Sequence, residues 1–396
     1  MNMGFATSLL DYGRCFTTAL TQADNRRILF AQRERVPANP PSRAELVDGM
    51  TAALGYLTRA QDAGTDPGLG SYHLVDGWGP SYPETTGYAL PTLLALSTRL
   101  QRADLLERAG RAAHWLLRVQ HPDGGWAGGR IGEGRPSIVF NTAQVIRGLL
   151  AVYKITAEPA LLDAARSAGR WIVSVQEPDG AWRSHNFLGV ERTYDSYVDA
   201  PLLLLHEVTG DPAFKNAAVR NLERLLSHQR QNGWFANADN TITHNDRPIT
   251  HTLAYTLAGL IECGERLGDP RWIDAAERSA RTLLEIFLRD GRLHGRYDAH
   301  WQGTELPLTT GGAQLAIVWA GLHKAGRSGP WREGVLRMTG WLCHVQRTTA
   351  NGPEAARGAM PGSFPLWGRY EKFAFPNWAT KYMADALLCA DALVDA

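Results

Sequence analysis

The chain has 396 residues, with 41 Lys/Arg against 40 Asp/Glu, a formal net charge of +1 and 44% hydrophobic residues. A near-neutral charge without a basic block excludes the electrostatic footprint of a nucleic-acid binder, and the apolar content supplies the core of one large domain or two ordinary ones. Cysteines at 15, 263, 343 and 389 without CxxC spacing, no apolar run of ~18 residues and no signal-like start predict a cytoplasmic protein with neither membrane span, disulfide framework nor structural zinc.

Residues 1–43 read as an irregular extension, ending in the proline-rich Val36–Pro41, that packs on a main domain over 44–396. Ser42-Arg43-Ala44-Glu45 has the form of a capping box and opens a helical run to about Ala63. Comparable Ala/Leu/Arg-rich runs are predicted at about 103–119, 159–176, 212–229, 270–289 and 331–346. A second set interleaves with them at about 84–100, 141–155, 199–209, 251–267, 311–325 and 377–394. Starts within each set recur roughly every 50–65 residues, and strand-like alternation is almost missing. Twelve helices in six hairpins are enough to close a ring.

Turns from the second set to the next first-set helix are short, as in Gln101–Ala103 and Thr209–Pro212. Those in the other direction run roughly 15–30 residues and are rich in Gly, Trp, Tyr and His, as functional loops are. All the long loops therefore emerge on one face. The first set also repeats a phrase, Gln120-His121-Pro122-Asp123-Gly124-Gly125-Trp126 and Gln176-Glu177-Pro178-Asp179-Gly180-Ala181-Trp182, with degenerate copies at Gln229–Trp234 and Trp341–Gln346. Pro-Asp-Gly stops a helix and turns the chain, so the phrase is first of all punctuation.

That Gln-x-x-Asp-Gly-Gly-Trp phrase resembles the repeats of squalene-hopene cyclases, although their acidic Asp-x-Asp-Asp motif has no counterpart here. Six hairpins with long loops on one face resemble the (α/α)6 toroid of carbohydrate-active enzymes, which implies an all-α toroid. Thr250–Tyr255, at the eighth helix, is similar to a histidine-bearing phrase of N-acylglucosamine 2-epimerases; here Ala254-Tyr255 replaces their Glu-Trp, and Asn377–Lys381 lacks their second histidine. The phrases Tyr82–Tyr88, Gly362–Tyr370 and Phe375–Lys381 resemble bacterial proteins encoded with exopolysaccharide-biosynthesis genes, which implies a pathway and not a reaction.

In such a toroid the second set forms the inner ring, and its N-terminal ends with the preceding loops surround a cavity mouth. Helix N-termini also present unpaired N–H groups to anions. On the eighth helix His251, Tyr255 and Glu262 share a face at ~100° per residue, with Glu262 roughly 16 Å further along, on the closed side. The acid–base candidates are His251, Tyr255, Glu84, Asp195 and Tyr370. Saccharide-binding candidates come from every long loop: Trp78 and Tyr82; Trp126, Arg135 and Asn141; His185, Tyr197 and Asp199; His244 and Arg247; His294, Tyr297 and Trp301; and Trp367, Trp378 and Lys381. Arg130, Tyr194 and Lys372 stand on the same rim. Aromatic faces stack on sugar C–H faces, and Arg, Asp and His bind hydroxyls or carboxylates.

Competing structural roles are plain. Trp115, Trp171 and Trp341 sit mid-helix and read as core, Trp126 can cover a hairpin end, and Asp199 before Pro201 can be an N-cap. No compact ligand set points to a metal, and no cofactor is expected. The abundance of His, Tyr and Arg favours a saccharide or uronate epimerase or lyase. The alternatives are an inverting glycoside hydrolase using Glu84 with Asp195 or Asp199, a non-catalytic glycan-binding scaffold and a terpene-cyclase relative. The oligomeric state is open.

Overall fold

A computed structural model describes residues 3–33, 39–241 and 243–394. Its helices are α1 Met3–Thr21, α2 Ala23–Ala31, α3 Arg43–Asp62, α4 Pro83–Arg99, α5 Asp104–Arg118, α6 Val139–Thr156 and α7 Pro159–Ser174. They continue as α8 Ser196–Thr209, α9 Pro212–Leu226, α10 Thr250–Leu267, α11 Pro270–Asp290, α12 Thr309–Lys324, α13 Trp331–Arg347 and α14 Asn377–Val394. Each of the twelve expected runs is present. Ser42 and Glu45 form the capping box, with Ser42 N donating to Glu45 Oε2 at 2.9 Å and Glu45 N to Ser42 Oγ at 3.3 Å. The N-terminal extension departs from expectation. It carries α1 and α2 instead of irregular chain, because Cys15, Ala19, Ile28 and Leu29 bury an apolar face on the main body.

Helices α4, α6, α8, α10, α12 and α14 pack side by side into a closed inner ring, since α14 returns to α4. An outer helix backs each of them: α5 on α4, α7 on α6, α9 on α8, α11 on α10 and α13 on α12. The sixth pair joins the first and last toroid helices, α3 and α14. This is an (α/α)6 toroid. Inner helices approach closely where side chains are missing: a Cβ on Gly148 of α6 would lie 2.1 Å from the Gly87 carbonyl oxygen of α4.

The repeated glutamine phrase turns out to be the joint between neighbouring outer helices. Gln120 Nε2 donates to its own turn at Gly124 O, 2.8 Å, and to Ala164 O of α7, 3.0 Å. Gln176 does the same to Gly180 O and Ala217 O of α9, and Gln229 to Gly233 O and Ala275 O of α11. The degenerate copy closes the circle, with Gln346 Nε2 donating to Gly49 O of α3 at 3.1 Å and Gly358 O at 2.9 Å. Gly124 and Gly180 turn with φ of 96° and 93°, which a side chain would strain.

Two small antiparallel sheets tie the long loops together. β1 Tyr72–His73 lies between β2 Gly77–Trp78 and β5 Ala374–Phe375, with Tyr72 opposite Phe375, so the first and last long loops are joined. β3 Arg296–Tyr297 pairs with β4 Gly303–Thr304. Among the described residues no helix is long and apolar enough to cross a membrane.

Candidate active site

At the N-terminal ends of the inner helices lies a cavity of about 350 Å³. Tyr82, Glu84, Thr85 and Tyr88 reach it from the start of α4, Phe140 and Asn141 from α6, and His251, Thr252 and Tyr255 from α10. Tyr370 and Glu371 come from the last long loop, Trp378 from α14, and Arg130, Glu133 and Arg135 from the loop before α6. Tyr194, Phe187 and Asn240 complete the wall. First-turn residues of α4, α6, α10 and α14 meet here because these helices begin at the rim.

Glu84 is a buried acid that touches this space. Burial pushes its carboxyl up to about 7, with a hydrogen bond from Tyr82 acting the other way. Asn141 Nδ2 donates to Glu84 Oε2 at 2.6 Å and to the Tyr82 hydroxyl at 2.9 Å. Opposite in sequence, burial also raises the Glu371 carboxyl, partly offset by the Arg130 guanidinium. Glu371 sits in left-handed backbone, φ 47°, a conformation that residues bearing a Cβ hold only when their surroundings impose it.

His251 is 7% exposed and its Nδ1 lies 2.7 Å from Gln314 Oε1. With that oxygen as acceptor, Nδ1 carries the proton and Nε2 keeps the lone pair. Burial lowers the imidazole to about 4, so the ring is neutral at physiological pH. It lies 4.6 Å from the Tyr255 ring and 5.7 Å from the Tyr370 ring, centroid to centroid. The Tyr370 hydroxyl accepts from Trp378 Nε1 at 3.0 Å. Burial raises the phenols of Tyr82, Tyr88, Tyr255 and Tyr370, which keeps them as neutral donors. At the mouth, Arg135 Nε donates to Glu133 Oε2 at 3.1 Å and Arg130 stands 3.9 Å from Glu133 Oε1.

Below the cavity the axis is plugged. Tyr197 lies 4.8 Å from Tyr255 and under the Arg147 guanidinium at 4.5 Å, and Arg147 Nη1 donates to Glu262 Oε2 at 2.8 Å. Glu262 is thus on the closed side, as its spacing from His251 implies. Lys381 is buried against the Tyr382 ring at 3.9 Å and paired with Asp385 at 2.8 Å.

Of the acid–base candidates, Glu84, His251, Tyr255 and Tyr370 come together, as do Tyr82, Arg135, Asn141 and Trp378 among the binding candidates. Asp195 does not join them: it is 2% exposed and accepts from Asn186 Nδ2 at 2.5 Å. Asp199 points outward from the ring to α9, accepting from Asn221 Nδ2 at 2.8 Å, and because α8 begins at Ser196 it is no N-cap. Trp126 is fully buried, its Nε1 donating to Leu116 O at 2.9 Å, so it covers the hairpin end. Tyr197 and Lys381 belong to the plug.

The remaining binding candidates also stand away from the cavity. Trp78 stacks on Tyr56 at 5.5 Å, Trp367 packs on Phe16 at 6.0 Å, and His185 lies against Trp171 at 5.7 Å. Tyr297 is buried, its hydroxyl accepting from His294 N at 2.8 Å, while His294 Nδ1 contacts Glu305 O at 3.3 Å. Trp301 Nε1 donates to Asn232 O at 3.1 Å, Arg247 pairs with its neighbour Asp246 at 3.0 Å, and His244 sits in the same turn. Sequence reasoning missed Glu371, Tyr88, Glu133 and Thr252. Tyr88 was accessible as the residue one turn below Glu84, and Glu371 as the acid directly after Tyr370.

A family model described as the squalene-hopene cyclase C-terminal domain matches residues 80–258. Among solved structures, an unsaturated glucuronyl hydrolase specific for heparin aligns with a TM-score of 0.67 at 14% identity, over 90% of this chain and 99% of that one. An unsaturated glucuronyl hydrolase from Bacillus sp. GL1, responsible for the degradation of glycosaminoglycan, aligns at 0.65 and 15% identity, over 87% and 96%. A polysaccharide lyase aligns at 0.63 and 13% identity, over 90% and 99%. No curated protein matches the sequence. Likeness at these identities establishes the toroid, shared by proteins of differing chemistry.

Proposed function

We propose that the chain is a carbohydrate-active enzyme that hydrolyses the glycosidic bond of an acidic sugar, with Glu84 as general acid. The observation that carries this reading is the pair of carboxyl groups, Glu84 and Glu371, brought by different elements to one cavity and both raised by burial. With a pKa of about 7, Glu84 retains a proton to give the departing glycosidic oxygen at neutral pH. Glu371 accepts the proton of the water that attacks the anomeric carbon. One C–O bond breaks, one forms, and a proton passes from each water to the protein and from the protein to the leaving group. Such an inverting displacement requires carboxyl groups ~6.5–9.5 Å apart.

Arg130 and Arg135 at the mouth supply cations for a substrate carboxylate, and the rings of Tyr82, Tyr370 and Trp378 supply stacking faces. Likeness to unsaturated glucuronyl hydrolases and a polysaccharide lyase supports the saccharide class. A wall carrying three glutamates, two arginines and a histidine does not suit the apolar substrate of the terpene-cyclase alternative.

One observation favours elimination or epimerisation as a second reading: neutral His251 lies against Tyr255 and Tyr370 in the same cavity. There Nε2 takes the proton next to the substrate carboxylate and a phenol protonates the oxygen or carbon opposite. Incubating the protein with uronate oligosaccharides in deuterated, ¹⁸O-labelled water separates the readings. Hydrolysis places ¹⁸O at a new reducing end, elimination yields an ultraviolet-absorbing unsaturated uronate, and epimerisation places deuterium beside the carboxylate without cleavage. Turnover that survives both Glu84→Gln and Glu371→Gln would overturn the hydrolase reading.

A further inference from the structure

We infer that the N-terminal helices α1 and α2 are part of the active site, holding the 366–373 segment so that Glu371 stays in the cavity wall, with Asp11, Phe16 and Gln32 as positioning residues. The role of Glu371 rests on the reading above. Glu371 and Phe373 both have left-handed backbone, φ 47° and 55°, on either side of Lys372. Two such residues so close together need an external hold.

That hold comes from the extension. Tyr370 and Glu371 face the cavity, whereas Lys372 and Phe373 face α1. Lys372 is ion-paired with Asp11, and its ammonium lies 4.7 Å from the Tyr12 ring centroid. Phe373 meets Phe16 edge to face at 4.9 Å and Tyr12 at 6.3 Å, and Phe16 also packs on Trp367. Gln32, 1% exposed, accepts from Leu366 N at 2.5 Å and donates to Thr348 Oγ1 at 3.3 Å, which ties the start of the last long loop to the beginning of the 366–373 segment.

The helices that provide the hold are themselves fixed to the first long loop. Arg14 pairs with Asp76 at 2.7 Å, and Asn25 Nδ2 donates to Leu74 O at 3.2 Å, beside strand β1, which pairs with β5 immediately after Phe373. Moving α1 therefore moves the segment that carries Glu371.

The test uses the full chain with Phe16→Ala and, separately, Lys372→Met, which keeps the length of the half-buried stem and removes only the charge paired with Asp11. Hydrogen exchange of the peptide spanning 366–376 is expected to quicken at least ~10-fold in both variants, with peptides over 84–90 and 250–256 unchanged, and Lys372→Arg is expected to restore protection. On a glucuronate-terminated disaccharide, kcat is expected to fall ~10-fold or more with KM nearly constant. The acid limb of kcat, set by Glu371 ionisation, should move to lower pH as that carboxyl leaves its buried site. Unchanged exchange over 366–376 overturns the inference, and so does faster exchange with unaltered kcat and pH profile. If the wild-type chain turns over no saccharide, the hydrolase reading fails by itself and the exchange result alone decides the clamp.

Discussion

Replacing Glu84 by Gln should abolish a pH dependence that one buried carboxyl imposes on the whole fold. Its pKa rises from the ordinary 4.5 to about 7 because burial disfavours the charged form. A folded-state pKa above the unfolded one stabilises fully below the unfolded value, and that stability is lost as pH rises through about 7. The shift of ~2.5 units amounts to ~3 kcal/mol, of which ~2.5 kcal/mol is lost between pH 5 and 8. For 396 residues, an unfolding entropy of ~2.1 cal/mol/K per residue makes this ~3 °C in Tm. The assay is the difference between wild-type and Glu84→Gln melting temperatures, measured at pH 5 and pH 8 so that other titrating groups cancel. The wild type should lose ~3 °C relative to the variant. In the same variant kcat should fall ~10²–10⁴-fold, and the wild-type decline in rate above pH ~7 should vanish from any residual activity. Parallel Tm profiles for the two proteins would refute the assignment of a buried, proton-holding Glu84.

Four further changes address the scaffold and one rejected acid. Gln346→Ala leaves the Gly49 and Gly358 carbonyls without their donor where the ring closes, and should cost roughly 2–4 kcal/mol in urea unfolding; no loss would mean that α13 and α3 close without it. Gly148→Ala, whose Cβ meets the Gly87 carbonyl, should destabilise by ~1–3 kcal/mol. Gly110→Ala, in open space on α5, should instead stabilise by ~0.4–1 kcal/mol; equal signs in thermal melts would contradict the close α4–α6 approach. Asp199→Asn should keep kcat within ~2-fold, because burial already raises that carboxyl far above its usual range and its partner is Asn221, away from the cavity. A large drop in kcat would return Asp199 to the chemistry.

The toroid was legible because its signals are local. Helical period, the Ser42 capping box, the Gly and Pro stops and the contrast between short and long connections all lie within a few residues of one another, and they located all twelve ring helices and the face that bears the loops. The same local spacing brought Glu84, Asn141, His251 and Trp378 to the rim, since each lies in the first turn of an inner helix, and Tyr255 one turn below His251 on the same face. It was also enough to set Glu262 on the far side of the ring.

Only the tertiary structure decided which rim residues share a cavity. Asp195 and Asp199 lie as near to the start of α8 as His251 does to the start of α10, yet the rotation of α8 sends Asp199 to Asn221 and the preceding turn sends Asp195 to Asn186. Glu371 enters through a left-handed turn held by α1, more than three hundred residues earlier in the chain, and the sixth helical pair joins α3 to α14. Hydrophobic period and turn chemistry are encoded by neighbours along the chain, so sequence alone determined the elements and their order. Helix rotation, ring closure and the pairing of distant loops depend on side chains that meet only in the folded state, and those contacts chose the carboxyl groups.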